Sequence, residues 1–350
     1  MDANPPELPF LSTIGLMLTY RCTVACPHCI VEAGPHRTEE MQMEQSLAWI
    51  EQASSYRDGR VKGLALTGGE PFYNRQALAE ISAYGRALGL IVSVVTNAFW
   101  ATTREAALST LAELPAIQMI SISTDVYHQK SIPFGHIKNA VWAARELGRL
   151  YSIAVCTDNK EDPQYQKIIT DLNALGKVNR IREAITFPVG RALGRAHLFT
   201  YRTAPEPAVG ACSMASSPIL FPDGKVIGCI GPVLTLPPGH PLHLGTLHQE
   251  TLSEILDRAE LNRILHTIRV WGPHKLVALL RKNGFEALLP RQYICNCICD
   301  VCYKLLGDPR IVDALGDIVQ DEKFRETIAY ARVYYLNETR MAELYQLQAG

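Results

Sequence analysis

The chain has 350 residues, of which 47% are hydrophobic and 20% charged. That balance supports a large barrel-like domain with an appendage, or two ordinary domains, and argues against wholesale disorder. Lys and Arg (34) nearly cancel Asp and Glu (35), leaving a formal charge of -1, so there is no net cationic field to attract nucleic acid or an anionic membrane.

The first twenty residues carry acids and prolines where a secretory signal would carry a basic start and an apolar run. No apolar stretch reaches the roughly 18 residues a membrane helix needs. A cytoplasmic location is expected, with neither nucleic acid nor membrane as partner. In a reducing compartment, ten cysteines point to metal or cluster ligation before a disulfide framework.

From residue 15 to 190 a short β-rich run, a polar loop and an amphipathic helix alternate. The predicted strands are Gly15 to Tyr20, Gly63 to Thr67, Ile91 to Thr96, Ile117 to Ser123, Ser152 to Cys156 and Ala184 to Val189. Between them, Met43, Leu47, Ile50 and Ala53 mark the core face of a first helix, and Leu78, Ile81 and Leu88 that of a second, closed by Gly89. Thr102 and Glu105 fit a capping box for a third helix, while Ile137, Val141 and Ala144 line a fourth that Gly148 ends. This alternation indicates a parallel sheet, either an open doubly wound one or an incomplete barrel, and both place ligands at the C-terminal strand ends.

The texture changes after Gly190. Phe221-Pro222-Asp223-Gly224-Lys225 reads as a turn between strand-like Pro218 to Phe221 and Lys225 to Ile230. A Pro- and Gly-rich loop from Gly231 to Gly245 leads into helical segments at Leu252 to Ile264 and Lys275 to Leu280. Residues Pro309 to Gln348 read as mostly helical, with Val312, Leu315, Ile318 and Val319 on an apolar side.

Cys22, Cys26 and Cys29 follow the first strand as Cys-x3-Cys-x2-Cys. Three thiolates in one loop can hold three corners of a cubane iron-sulfur cluster and leave the fourth iron without a protein ligand. A zinc site completed by His28 or a distant residue, or three unrelated reduced cysteines, would account for the same thiols. Gly68-Gly69-Glu70-Pro71 follows the second strand. Its glycines permit close backbone approach and Glu70 offers an acceptor for an ammonium group, although a plain strand-to-helix turn explains the same residues.

Together these residues resemble the radical S-adenosylmethionine (SAM) superfamily over residues 14 to 195. The resemblance implies an α/β fold, a partial (βα)6 TIM-like barrel, with SAM bound to a 4Fe-4S cluster that has an open iron. It also implies a reducing electron donor such as flavodoxin or ferredoxin. Gly68, Gly69, Glu70 and Pro71 would contact the SAM ammonium group, and His28 would lie near the adenine. Asn97, Ser121, Ser123, Asp125 and Arg191 are family-like positions for ribose or carboxylate contacts, and each is also compatible with a polar strand-end role. In such a site the protein orients the substrate and excludes stray hydrogen donors.

Cys212, Cys229, Cys299 and Cys302, with the Asp-Gly turn between the first two, resemble the twitch and SPASM auxiliary-cluster extensions. Four thiolates would saturate one auxiliary 4Fe-4S cluster, with a structural zinc as the alternative. Cys295 and Cys297 are then surplus. Cys297, or Cys156 at the end of the fifth strand, is a candidate catalytic hydrogen-atom donor, with inert burial as the bland reading of each. Tyr127 and His128 are candidates for substrate contact or for loop packing.

The expected organisation is an extension at 1–14, a radical SAM barrel at 15–203, an α+β auxiliary-cluster module at 204–308 and a helical segment at 309–350. The expected activity is reductive SAM cleavage and hydrogen abstraction from a ribosomally made peptide, giving epimerisation, crosslinking or oxidation. A dehydrogenase or epimerase acting on a small-molecule sugar or aminocyclitol is the alternative. A zinc-stabilised binding protein is the alternative of another class. Residues 1–14 are too few for a folded leader-peptide-recognition domain, which weighs against the peptide reading without removing it.

Overall fold

A computed structural model of the protein describes residues 11–176, 181–236 and 239–338. Six parallel strands form its centre: β1 (Thr13–Met17), β2 (Gly63–Thr67), β3 (Ile91–Thr96), β4 (Met119–Ser123), β5 (Leu150–Thr157) and β6 (Ile181–Ile185). They pair in sequence order, each with the next. Helices α1 (Met43–Ser55), α2 (Arg75–Ala87), α3 (Arg104–Ala112), α4 (Phe134–Glu146) and α5 (Pro163–Asn173) connect them. In the sheet order β1 and β6 are not neighbours, so the expected partial barrel is present and open. All six strands deliver their C-terminal ends to one mouth.

The first and last strands deviate most from the sequence reading. β1 starts and ends earlier because the chain leaves β2 after Leu18, whose N–H still reaches the Thr67 carbonyl at 2.8 Å. Thr19 then bridges Glu40 instead. β6 lies three residues upstream of its predicted start. It is an edge strand whose Arg182, Glu183 and Ala184 are exposed, so it lacks the apolar signature of a buried parallel strand. Pro188, which has no N–H to donate, falls in the predicted range but beyond the strand.

Helix faces follow the predicted periodicity with local shifts. Ser46 and Trp49 are buried in α1, whereas Met43 and Leu47 are half-buried. Leu88 is exposed at the C-cap of α2, and Gly85 packs against Leu64 in its place. The cap of α3 is Thr103, whose Oγ1 accepts the Ala106 N–H at 3.1 Å, so the capping box expected at Thr102 is not formed. The predicted helix at Leu252 to Ile264 is two helices, α6 (Leu252–Leu261) and α7 (Arg263–Val270). Asn262 separates them, its Oδ1 capping α7 through the Ile264 and Leu265 N–H groups.

The hairpin after Gly190 joins the main sheet. β8 (Ile219–Leu220) pairs parallel with β1 and antiparallel with β9 (Lys225–Ile227), which pairs with β10 (His243–Thr246), making nine strands. β7 (Thr203–Ala204) and β11 (Tyr293–Ile294) form a separate ribbon. Helices α8 (His274–Lys282), α9 (Ile298–Leu306), α10 (Pro309–Val319) and α11 (Glu322–Leu336) complete the C-terminal half. The predicted helical tail beyond residue 338 lies outside the described residues. Among the described residues no helix is long and apolar enough to cross a membrane.

Apolar packing of α1 against α6 joins the two halves, and a buried ion pair pins it. Arg60 and Glu260 lie 3.2 Å apart with side chains 6% and 0% exposed. Nearby, the Tyr56 hydroxyl donates to Asp257 at 2.7 Å and Arg57 Nε donates to it at 2.8 Å. Removing one partner of a buried pair strands the other charge. Arg60→Met is expected to lower the unfolding free energy by about 3–5 kcal/mol in denaturant titration, with most of the loss recovered in Arg60→Met/Glu260→Gln.

Candidate active site at the barrel mouth

The loop carrying Cys22, Cys26 and Cys29 is closed at its base by backbone pairing. Gly34 N–H donates to Tyr20 O and Cys22 N–H to Gly34 O, both at 3.1 Å. Cys22 and Cys26 are buried and Cys29 is half-buried. All three share a small apolar cluster with Val24, Ala33 and Ile132. Burial, reinforced by Glu70 and the other two thiols, pushes the Cys22 thiol up to about 12.

Two pairs of backbone contacts hold this loop. The Gly69 N–H donates to Thr19 O at 2.6 Å and the Glu70 N–H to Arg21 O at 2.9 Å, so the end of β2 lies directly beneath the chain entering the loop. A Cβ on Gly69 would collide with the Arg21 carbonyl, and one on Gly68 would lie 2.7 Å from Thr19 O. The paired glycines therefore admit the loop's own backbone. On the far side, Gly190 has φ +54°, and a Cβ there would sit 2.5 Å from Ile30 O and 2.6 Å from Cys29 O. Arg191 follows, donating its N–H to Cys29 O at 3.1 Å and its guanidinium to Cys26 O at 2.7 Å and Ala33 O at 2.6 Å.

Glu70 is fully buried and faces inward. One carboxylate oxygen accepts from Phe72 N–H at 3.1 Å and Thr96 Oγ1 at 2.8 Å, and the other accepts from Asn97 N–H at 2.7 Å. Burial raises its pKa to about 7 against the pull of those bonds. Pro71 opens the short turn of Pro71–Asn74. Asn97, also buried, directs Nδ2 to Cys22 Sγ at 3.6 Å and Thr23 Oγ1 at 3.3 Å. The third strand end thereby touches the cysteine loop.

At the fourth strand end, Ser121 accepts hydrogen bonds from Arg182 and from Ser152, the latter at 3.4 Å. Ser123 is half-buried. Asp125 is buried, and its Oδ1 accepts the Tyr127 and His128 N–H groups at 2.9 Å each. Oδ2 lies 2.8 Å from His128 Nδ1 and 3.5 Å from His28 Nε2. Burial alone would raise the Asp125 pKa, but the two imidazoles outweigh it and hold the group near 2. The same carboxylate outweighs burial at His128 and holds its pKa well above the ordinary value. His28 goes the other way, to about 4, because burial dominates there. Its ring stands 4.6 Å from the Tyr127 ring.

Tyr127 and His128 are thus part of the mouth. The Tyr127 hydroxyl donates to Asp158 Oδ1 at 2.6 Å, and the His128 ring is held at Nδ1 by Asp125. An Asp-x-x-His spacing after a strand end is the sequence signal that marks this pair. Cys156 is half-buried near the end of β5, and burial pushes its thiol up.

The second cysteine set also converges. Cys299 and Cys302 occupy successive turns at the start of α9 and therefore share a face. Both interact with Cys212, Cys229 and Cys297. Burial pushes the Cys229 thiol up to about 12. Cys297 immediately precedes this helix and its Sγ lies 3.8 Å from the Ile185 carbonyl at the end of β6, in one apolar cluster with Phe187, Val189 and Ile294. Cys295 is half-buried, and its N–H pairs with Arg202 O at 2.8 Å.

Residues 16–159 match the model of the Radical SAM superfamily. The chain carries a radical SAM domain. SAM and a 4Fe-4S cluster are the cofactors of that family. Two buried thiols and one half-buried thiol in one apolar cluster, with no fourth cysteine in the loop, suit a cluster that keeps one iron open. The chain is also 20% identical over 302 residues to YydG of Bacillus subtilis (strain 168), a protein named for peptide biosynthesis, covering 84% of this chain and 92% of that protein. It is 35% identical over 98 residues to the PqqA peptide cyclase of Xanthomonas euvesicatoria pv. vesicatoria (strain 85-10), spanning 28% of this chain and 24% of the cyclase. Among solved structures, BtrN in complex with AdoMet and 2-DOIA aligns with TM-score 0.43 and 16% identity over 77% of this chain and 89% of its own.

Two variants test how the radical SAM domain holds its cysteine loop. Gly69→Ala is expected to displace Thr19 to Arg21, giving a folded protein that retains less iron after anaerobic reconstitution. Arg191→Met, which removes both carbonyl contacts, is expected to weaken iron retention about 10–100-fold in a chelator competition while leaving the far-UV circular dichroism unchanged.

Proposed function

We propose that this radical SAM enzyme modifies a ribosomally made peptide by hydrogen abstraction, leading to epimerisation, crosslinking or oxidation. The observation that carries the peptide reading is the similarity to YydG along 84% of the chain. The cyclase similarity over 28% of the chain points the same way. A flavodoxin or ferredoxin is the proposed electron donor, and the cytoplasm the proposed location.

Cys22, Cys26 and Cys29 would hold the cluster. When bound and reduced, cluster and SAM together supply a 5'-deoxyadenosyl radical that takes a hydrogen atom from a substrate C–H bond. Gly68, Gly69, Glu70 and Pro71 would shape the SAM amino-group site, with Glu70 acting through the backbone it anchors because its oxygens already accept three bonds. His28, Asn97, Ser121, Ser123 and Asp125 would line the remainder of the SAM site. Arg191 would serve the site by fixing the loop carbonyls. The apolar and aromatic lining formed by Tyr127, Ala192 and Phe199 would exclude water from the reacting radical.

Cys212, Cys229, Cys299 and Cys302 would hold one auxiliary 4Fe-4S cluster in a module spanning 204–308. Cys297, on the barrel side of that group, is the favoured hydrogen-atom donor, and Cys156 the second candidate.

Anaerobic analysis of the reconstituted protein should find about eight iron and about eight sulfide per chain, falling by half in Cys299→Ala/Cys302→Ala. Zinc without sulfide would sink the reading. Cys26→Ala should lose reductive SAM cleavage altogether. Incubation with the peptide encoded beside the gene should change that peptide's mass or stereochemistry. Deuterium uptake from solvent, lost in Cys297→Ala, identifies epimerisation, whereas loss of two hydrogens identifies crosslinking or oxidation.

A further inference from the structure

The barrel strands end differently at their two sides. Outward from β1 the sheet continues through β8, β9 and β10, whereas among the described residues β6 pairs with β5 alone. The Thr186 N–H donates to Thr157 O at 2.8 Å, and successive residues of an extended strand turn their N–H and C=O to opposite edges. Ile181, Glu183 and Ile185 therefore direct their backbone groups away from β5, into the gap that the incomplete barrel leaves. The Ile185 carbonyl agrees with that direction, standing 3.8 Å from Cys297 Sγ. Arg182, Glu183 and Ala184 are exposed, so water reaches both faces of this edge.

We propose that the peptide substrate binds as an additional strand on the outer edge of β6, its backbone pairing with Ile181 and Glu183 and its chain running on to the mouth beside Cys297. This rests on the reading of the substrate as a peptide. Outward N–H and C=O groups repeating every roughly 6.6 Å match an extended peptide, which offers acceptors and donors at the same repeat, and no compact small molecule does. A bare edge is a pairing template that proteins ordinarily cover or blunt. The hairpin covers β1, and β6 is left open where its C-terminal end meets the mouth. The Glu183 side chain turns to Lys160 at 2.8 Å and to Tyr165 on one face of the sheet, and that of Arg182 to Ser121 on the other. Neither crosses the line along which a strand would pair.

The test uses the reconstituted holoenzyme and the synthetic peptide encoded beside the gene, with product followed by mass in deuterated buffer. Backbone N-methylation of the peptide, one residue at a time, removes a single donor and keeps every side chain. A paired strand uses the N–H groups of every second residue, so KM is expected to rise about 10-fold at alternate positions and little between them. On the enzyme, Glu183→Pro removes an outward N–H that the β5 ladder does not use, and its KM is expected to be about 10-fold above that of Glu183→Ala, which keeps the N–H. An equal KM in these two variants overturns the assignment to β6, and a methylated series without alternation overturns strand pairing itself. Should Glu183→Pro fail to fold, the methylated series alone decides. If the wild-type enzyme leaves the unmethylated peptide unchanged, the peptide reading falls, and this inference with it.

Discussion

The structure depends on the absence of two side chains. At Gly68 and Gly69 the end of β2 lies so close beneath Thr19 to Arg21 that a Cβ on either residue would strike backbone oxygen. The N–H groups of Gly69 and Glu70 are consumed in holding that crossing. Everything at the mouth inherits its position from it. The cysteine loop starts from the clamped segment, Glu70 turns inward to bind the end of β3, and Asn97 returns from β3 to the first cysteine.

The clamp has a counterpart on the other side of the opening. Because the barrel is incomplete, strand pairing between β1 and β6 does not supply the closure. Arg191 does so with side-chain bonds, carrying a positive charge to two loop carbonyls. One buried carboxylate, Asp125, faces two imidazoles: it raises the pKa of His128, 2.8 Å away, while burial lowers that of His28, 3.5 Å away.

The C-terminal half is no detached appendage. Its hairpin extends the barrel's own sheet through β8 and β1, and α6 packs on α1 across a buried ion pair. Cys297 meets the end of β6, its Sγ 3.8 Å from the Ile185 carbonyl.

Legibility in the sequence tracked the range of the interactions involved. Strands β2 and β3 have the predicted bounds because their core residues, Leu64 and Leu66 in one and Val92 and Val94 in the other, alternate within short β-rich runs. β6 is displaced because an edge strand need not be apolar. Leu88 satisfied helical periodicity and yet is exposed, since periodicity does not say where the last turn ends. Spacing along the chain was sufficient for the three-cysteine loop and the Gly-Gly-Glu-Pro turn, whose chemistry is local. It also sets Cys299 and Cys302 one turn apart on a single helix. By contrast, the commitment of Arg191 to the cysteine loop, the meeting of Asp125 with His28, and the contact of Cys297 with the end of β6 were decided only in three dimensions. They join residues about a hundred or more positions apart, and such contacts depend on strand order and on the point where the sheet stops closing, which no short window of sequence contains.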